Sequence, residues 1–255
     1  MLETRNLTIR FGGHVAVDHV SCAFAPGTLT SIVGPNGAGK TTYFNLISGQ
    51  LPAAEGTVTL AGEDITHLPA PLRTRRGLGR AFQLTQLFPN LSVHENVRLA
   101  IQARQAGRGH GALDMWRVWL DHKDWIDEAS QILSQVRLAD RAQAVASSLP
   151  HGDQRKLEVA LLIALDPKVF MFDEPTAGMS VDEVPVVLDL IRQLKSRKDV
   201  VILLVEHKMD VVRELSDRII VLNNGQLVAD GEPATVIASP VVQQAYLGMA
   251  AEEET

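Results

Sequence analysis

The fold is decided by the stretch Gly34-Pro35-Asn36-Gly37-Ala38-Gly39-Lys40-Thr41. Its glycines, followed by a lysine and a hydroxyl residue, fit the P-loop pattern. The short apolar run 28–33 before it predicts a buried strand, and the segment 40–48 after it predicts a helix that stops at Gly49. Glycines let the backbone N–H groups turn inward, and the positive end of the helix points at the same place. The stretch therefore predicts a loop that binds phosphate groups.

Two side chains of this loop can interact directly with a bound nucleotide or its metal ion. Lys40 can reach the β- and γ-phosphates of a nucleotide, and the Thr41 hydroxyl can ligate Mg²⁺. We expect the nucleotide to be held by Gly34, Pro35, Asn36, Gly37, Ala38, Gly39, Lys40, Thr41 and Thr42.

A second motif is an apolar run that ends in two carboxylates. Residues 169–172 predict a buried strand, and Asp173 and Glu174 follow it directly. Asp173 stands where a P-loop NTPase places its Mg²⁺-associated aspartate, and Glu174 can polarise an attacking water. Together with the loop, this motif indicates a nucleotide hydrolase or a kinase.

Around these motifs the pattern is that of an α/β protein. Strands alternate with helices, among them a helix predicted over 181–195, and this alternation predicts a P-loop NTPase core with a mainly parallel sheet. The N-terminal strands predict an antiparallel β subdomain. Helical periodicity takes over within 89–149, which predicts an inserted α-helical subdomain. We expect one domain over 1–255, with its core in 1–88 and 150–240 and a tail at 241–255.

Composition limits the classes of function. The formal net charge of -6 argues against a general nucleic-acid coat protein. The single cysteine, Cys22, lies in an apolar alternating stretch and reads as a small buried hydrophobe. No signal peptide is recognisable, and the most apolar run, 159–172, is interrupted by charges and a proline. A role at a membrane must therefore come through a partner.

One further stretch distinguishes between the possible classes of nucleotide hydrolase and kinase. Leu149-Pro150-His151-Gly152-Asp153-Gln154-Arg155 resembles the signature motif of ABC ATPases, usually Leu-Ser-Gly-Gly-Gln. Other elements of that family then follow in the family's order over nearly the whole chain. Phe11 matches the aromatic that stacks on adenine, Gln83 the Q-loop glutamine, 177–180 the D-loop, and His207 the switch histidine.

This resemblance implies a mechanism. Two cassettes pair head to tail around two ATP molecules, and the P-loop of one faces the signature motif of the other. It implies nucleotide contacts from Gly152 and Asp153 besides the P-loop and Phe11. The implied catalytic residues are Glu174, His207, Gln83 and Lys40, and the implied Mg²⁺ ligands are Thr41, Gln83 and Asp173.

The resemblance also implies partners and a place in the cell. The partners are a second cassette of the same or a related chain, transmembrane permease subunits and, indirectly, a periplasmic or extracellular solute-binding protein. Nucleic acid is not among them. The chain is then peripheral, on the cytoplasmic face of the inner or plasma membrane.

The signature stretch departs from the family at Pro150, which stands in place of a serine that contacts the γ-phosphate. Proline has neither a hydroxyl nor an N–H. Either the motif works through backbone N–H groups and the helix dipole, or the chain forms a weakened half-site in a heterodimer.

The residue sequences of several motifs resemble those of the branched-chain amino-acid uptake subfamily, notably at 80–83, 87–93, 173–179 and 204–210. Cassettes for urea, for amides and for lipopolysaccharide export are related alternatives. A soluble ABC ATPase, a small-molecule kinase and a regulatory ATP-binding module are alternatives from other classes. Trp116, Trp119 and Trp125 either pack the helical subdomain or form a socket for the membrane subunit.

Overall fold

The computed structural model describes residues 1–81, 88–107 and 122–244. The chain divides into two compact units. The first comprises Met1–Leu78, Lys168–Glu174 and Lys195–Thr255, and the second comprises Gly79–Pro167 and Pro175–Leu194. The helical segment expected over 89–149 lies within the second unit, which extends further along the chain on both sides.

The first unit contains an antiparallel sheet near the N-terminus. Its strands, in the order β2-β1-β4-β5, are β1 (Leu2–Phe11), β2 (His14–Phe24), β4 (Glu55–Leu60) and β5 (Glu63–Asp64). Strand β1 pairs with β2 on one side and with β4 on the other. The turn between β1 and β2 places Phe11 opposite His14. The predicted antiparallel β subdomain is confirmed.

A second, mainly parallel sheet carries the chemical motifs. Its strands in this unit are β3 (Thr28–Val33), β7 (Val169–Asp173), β8 (Val201–Val205), β9 (Arg218–Asn223) and β10 (Gln226–Gly231), in the order β10-β9-β3-β8-β7. Strand β3 runs parallel to β8 and β9, β7 runs parallel to β8, and β10 is antiparallel to β9. All residues of β7 and β8 are buried, as expected of a sheet covered on both faces.

Within the described residues, four helices complete the first unit: α1 (Lys40–Ser48), α2 (Ala70–Arg75), α7 (Met209–Leu215) and α8 (Pro233–Ile237). Helix α1 buries Tyr43, Phe44 and Ile47 in a core shared with both sheets. Left-handed glycines bound it, with Gly39 at φ 97 before it and Gly49 at φ 78 after it. The predicted helix 40–48 is confirmed.

The second unit is built mainly from helices. Strand β6 (Leu78–Ala81) leads the chain into it, and its helices are α3 (Val93–Gly107), α4 (Lys123–Gln135), α5 (His151–Leu165) and α6 (Val184–Lys195). Helices α3, α4 and α5 pack against one another. Helix α3 starts with a capping box, in which Ser92 and Glu95 exchange hydrogen bonds.

Helix α6 begins three residues later than its sequence pattern indicates, at 184 instead of 181. Pro185 explains the difference. A helix that already included 181 would drive the proline ring against the carbonyl of that residue, so the helix can begin only just before the proline. Residues 181–183 form a turn instead.

Two other expectations concern membranes and partners. Across the three described segments, no helix is both long enough and apolar enough to cross a membrane. Trp125 lies on α4, where its ring stacks on His122 with 3.8 Å between ring centroids. Trp116 and Trp119 lie outside the described residues, so the socket hypothesis stays a prediction.

A buried arginine anchors the end of α1. The Arg73 side chain is 1% exposed and donates hydrogen bonds to four carbonyl oxygens, those of Leu46, Ile47, Thr66 and Leu68, at 2.6–2.8 Å. Burial lowers the pKa of Arg73 to about 10. Because carbonyls at the C-terminal end of a helix carry partial negative charge, they compensate the buried cation.

We therefore expect Arg73→Met to lower the free energy of unfolding by about 3 kcal/mol, because four carbonyls around this buried side chain each lose a hydrogen-bond donor. Arg75→Met is the matched control, since Arg75 is exposed on the same helix. Urea unfolding of both variants measures the difference. Equal stability of the two variants would contradict this role of Arg73.

Candidate functional site

The first unit contains a cavity of about 400 Å³. Four segments of the chain build it: the turn between β1 and β2, the loop from β3 into α1, the end of β7 and the end of β8. Its lining residues are Phe11, His14, Ala16, Asn36, Gly37, Ala38, Gly39, Lys40, Thr41, Thr42, Glu174 and His207. Ten of them are predicted site residues, drawn together from positions far apart in the sequence.

The remaining predicted residues lie elsewhere. Gly34 and Pro35 belong to the same loop but do not line the cavity. Asp173 ends β7 and is buried. Gly152 and Asp153 are on α5 in the second unit. Gln83 falls outside the described residues.

The path of the loop requires glycine at two points. A Cβ atom added at Gly34 would lie 2.1 Å from the carbonyl oxygen of Leu222, and one at Gly39 would lie 2.3 Å from that of Ala16. Both contacts involve backbone, which cannot move aside as a flexible side chain can. Gly39 also has a φ of 97°, in the left-handed region that favours glycine.

Lys40 is held inside this loop. Its ammonium donates hydrogen bonds to the carbonyl oxygens of Gly34 at 2.7 Å and Pro35 at 2.9 Å. Burial lowers the pKa of Lys40, and the nearby carboxylates of Glu174 and Asp173 oppose that shift. The charge of Lys40 is therefore positioned between the loop and the end of β7.

The N-terminus of α1 adds to this positive character. Its first turn contains no acidic residue, and Thr41 and Thr42 of that turn line the cavity. The unpaired N–H groups of a helix start carry about half a positive charge. Helix, loop glycines and Lys40 together form a site suited to a polyphosphate.

Opposite the loop, two predicted catalytic residues are paired. His207 Nε2 and Glu174 Oε1 are 2.7 Å apart. Glu174 has a φ of 51°, which is uncommon for a residue with a side chain and is a form of strain found at functional sites. Its backbone N–H donates to the Val205 carbonyl at 2.9 Å, which fixes the end of β7 to β8.

A buried carboxylate supports His207. Glu206 is 4% exposed, and its Oε2 accepts hydrogen bonds from the backbone N–H groups of His207 at 2.7 Å and Lys208 at 3.3 Å. Glu206 was not among the predicted site residues, although a glutamate directly after the apolar run 201–205 is a signal in the sequence that marks it. His14, which also had no assigned role, lies in the cavity wall.

In the second unit, the signature stretch starts α5. Pro150 is the N-cap residue, and its carbonyl accepts the N–H of Gln154 at 3.0 Å. An N-cap residue contributes its carbonyl but not its N–H to the helix, so proline is compatible with this position. Pro150 therefore leaves the helix start intact.

Comparison with known proteins agrees with this geometry. The family described as ABC transporter matches residues 17–177. LivG of Escherichia coli K12, a high-affinity branched-chain amino acid transport ATP-binding protein, is 37% identical over 98% of both chains. BraF of Pseudomonas aeruginosa, which has the same description, is also 37% identical over 98% of both chains.

Solved structures show the same fold. The ADP conformation of an ATP-binding cassette of an ABC transporter aligns with a TM-score of 0.80 and 30% identity, over 97% of this chain and 98% of that one. A nucleotide-free cassette aligns with a TM-score of 0.80 and 29% identity. The chain belongs to the ABC transporter family and is an ATP-binding cassette.

We expect Gly39→Ala to abolish ATP binding and to lower the free energy of unfolding by about 2 kcal/mol, because the added methyl group collides with backbone and the loop must move. Calorimetric titration with ATP and urea unfolding measure the two effects. Gly13→Ala is the control, because its Cβ meets nothing within 4 Å. Normal ATP binding by Gly39→Ala would contradict the close approach.

Proposed function

We propose that this chain hydrolyses ATP to drive uptake of branched-chain amino acids through a separate membrane permease. Two kinds of observation support the proposal. The chain belongs to the ABC transporter family, and it aligns with LivG and BraF over nearly their whole length. The names of these two proteins support a role in transport, with branched-chain amino acids as the substrate class. Hydrolysis is supported by one observation in particular: Glu174 and His207 are paired on the wall of the phosphate site.

In this proposal, ATP lies with its adenine against Phe11 and its phosphates in the loop. Phe11 is 50% exposed although it is a large apolar side chain, and it lines the cavity. An aromatic ring exposed in this way suits stacking on a base. Lys40 can exchange the carbonyl oxygens of Gly34 and Pro35 for phosphate oxygens when the nucleotide enters.

The residues present fit a magnesium ion. The hydroxyl of Thr41 and the carboxylate of Asp173 are oxygen ligands of the kind that Mg²⁺ prefers, and Gln83 would complete the protein ligands. When bound with ATP, Mg²⁺ neutralises charge that develops on the phosphate oxygens. Few protein ligands are needed, because phosphates and water supply the rest.

Glu174 and His207 then act on the attacking water. The Glu174 carboxylate accepts a hydrogen bond from the water and orients it towards the γ-phosphate. His207 holds that carboxylate at 2.7 Å, and Glu206 holds the backbone of His207. Phosphoryl transfer depends mainly on positioning and charge, and these successive contacts hold the Glu174 carboxylate in position for the attacking water.

We further propose that the cassette works as a head-to-tail pair. The start of α5, with Gly152 and Asp153, would face the nucleotide of a second cassette and contribute backbone N–H groups to its γ-phosphate. In this proposal Gln83 reports the state of the nucleotide to the permease, and the chain lies at the cytoplasmic face of the membrane.

We expect Glu174→Gln to lower ATP turnover by about 100-fold or more, through loss of water positioning, while ATP binding persists. With hydrolysis blocked, Mg·ATP should shift the variant from monomer to dimer. Phosphate release and light scattering measure these effects. Glu232→Gln is the isosteric control, because Glu232 is exposed and does not line the cavity. Wild-type turnover in Glu174→Gln would remove Glu174 from the mechanism.

For the transported solute, we expect cells of the source organism that lack this chain to lose high-affinity uptake of radiolabelled leucine. The wild-type gene should restore it, and the Glu174→Gln gene should not. Normal leucine uptake together with lost urea or amide uptake would contradict the proposed solute and favour a related importer.

A further inference from the structure

Three charged side chains meet at the start of α5. The ammonium of Lys156 is 2.8 Å from Asp153 Oδ1 and 3.5 Å from Glu183 Oε1. Asp153, Lys156 and Glu183 form what we call the α5 charge cluster. All three residues belong to the second unit, and Lys156 is 9% exposed. One cation thus stands between two carboxylates.

The position of Glu183 is fixed from the other side. Its Oε2 accepts hydrogen bonds from the backbone N–H of Ser180 at 3.2 Å and from the Ser180 hydroxyl at 2.9 Å. These bonds lower the pKa of Glu183. The carboxylate is therefore charged at neutral pH, and the turn before α6 holds it in place.

Glu183 also lies directly over the signature glycine. A Cβ atom added at Gly152 would be 2.1 Å from Glu183 Oε1. Because Gly152 has no side chain, the carboxylate of Glu183 can lie against the first turn of α5. Asp153 is the next residue in the same turn.

This arrangement presents an electrostatic problem. A helix start attracts phosphate with about half a positive charge, and two carboxylates beside it outweigh that attraction. Arg155 lies in the same turn but pairs with Glu158 at 3.1 Å. Lys156 is the cation in contact with both carboxylates, and it reduces the cluster from two negative charges to one.

We propose that Lys156 reduces the electrostatic repulsion that the signature segment of this chain presents to a nucleotide phosphate on a second cassette. It does so by offsetting the charge of Asp153 and Glu183, and it is a positioning residue, not a catalytic one. The inference rests on the proposed head-to-tail pairing.

The test measures the ATP concentration that gives half-maximal dimer in the Glu174→Gln background, by light scattering at low salt. Adding Lys156→Met should raise that concentration about tenfold, because uncompensated like charge then meets the phosphate. Lys156→Arg keeps the charge and should behave as the parent. Lys123→Met, an exposed lysine on α4, controls for net charge.

Asp153→Asn gives the opposite change without removing Lys156. It leaves one cation and one carboxylate in the cluster, so dimers should form at several-fold lower ATP concentration. Combining Asp153→Asn with Lys156→Met should recover most of the loss. A purely structural role of Lys156 would not produce this recovery. Calorimetric titration of the Lys156→Met monomer should show unchanged ATP binding at the P-loop.

The outcomes separate the two proposals. If the Glu174→Gln parent forms no dimer with ATP, the head-to-tail mechanism is wrong. If the parent dimerises and Lys156→Met needs no more ATP than the parent, the inference about Lys156 is overturned. It is also overturned if Asp153→Asn fails to lower the ATP requirement, and this result does not depend on how well Lys156→Met folds.

Discussion

Close contact between backbone segments around the phosphate loop is the constraint on which the first unit depends. The loop leaves β3 between the carbonyls of Leu222 and Ala16, with room at Gly34 and Gly39 for hydrogen only. That path starts α1 at Lys40 and aims the helix start into the cavity. A side chain at either glycine would displace the loop, the helix and Lys40 together.

The parallel sheet explains how distant residues meet at this loop. Parallel strands present their carboxyl ends at one edge, and ligands of open α/β sheets bind outside that edge. Strand β8 lies between β3 and β7, so the segments after these three strands converge. Glu174 and His207 therefore come within hydrogen-bonding distance, although 33 positions separate them.

Much of this arrangement was predictable from sequence, because glycine spacing and apolar runs are local signals. The P-loop, the helix 40–48 and the mainly parallel sheet are of that kind. His14 was missed because its place in the cavity wall depends on how the strands are arranged. Glu206 was missed although its signal is local, because one acid after an apolar strand does not by itself show that it accepts hydrogen bonds from the two residues that follow. The start of α6 was misplaced because apolar periodicity outweighed the steric effect of Pro185. Gln83 stays a prediction, as do the roles proposed for the other site residues.

The signature stretch departs from its family pattern at Pro150 and at Asp153, and the two departures have different physical effects. At Pro150 only a side chain and an N–H are lost, and neither takes part in starting α5, so the backbone of the motif keeps its geometry. Asp153 stands where the family pattern has a glutamine, so a negative charge is added where phosphate would approach in the proposed pair. A change of charge can be offset by a neighbour without moving the backbone, and Lys156 is in place to do so at 2.8 Å. In the proposed pair, Pro150 therefore leaves the backbone route to phosphate binding open, and the charge at 153 is the departure that Lys156 opposes.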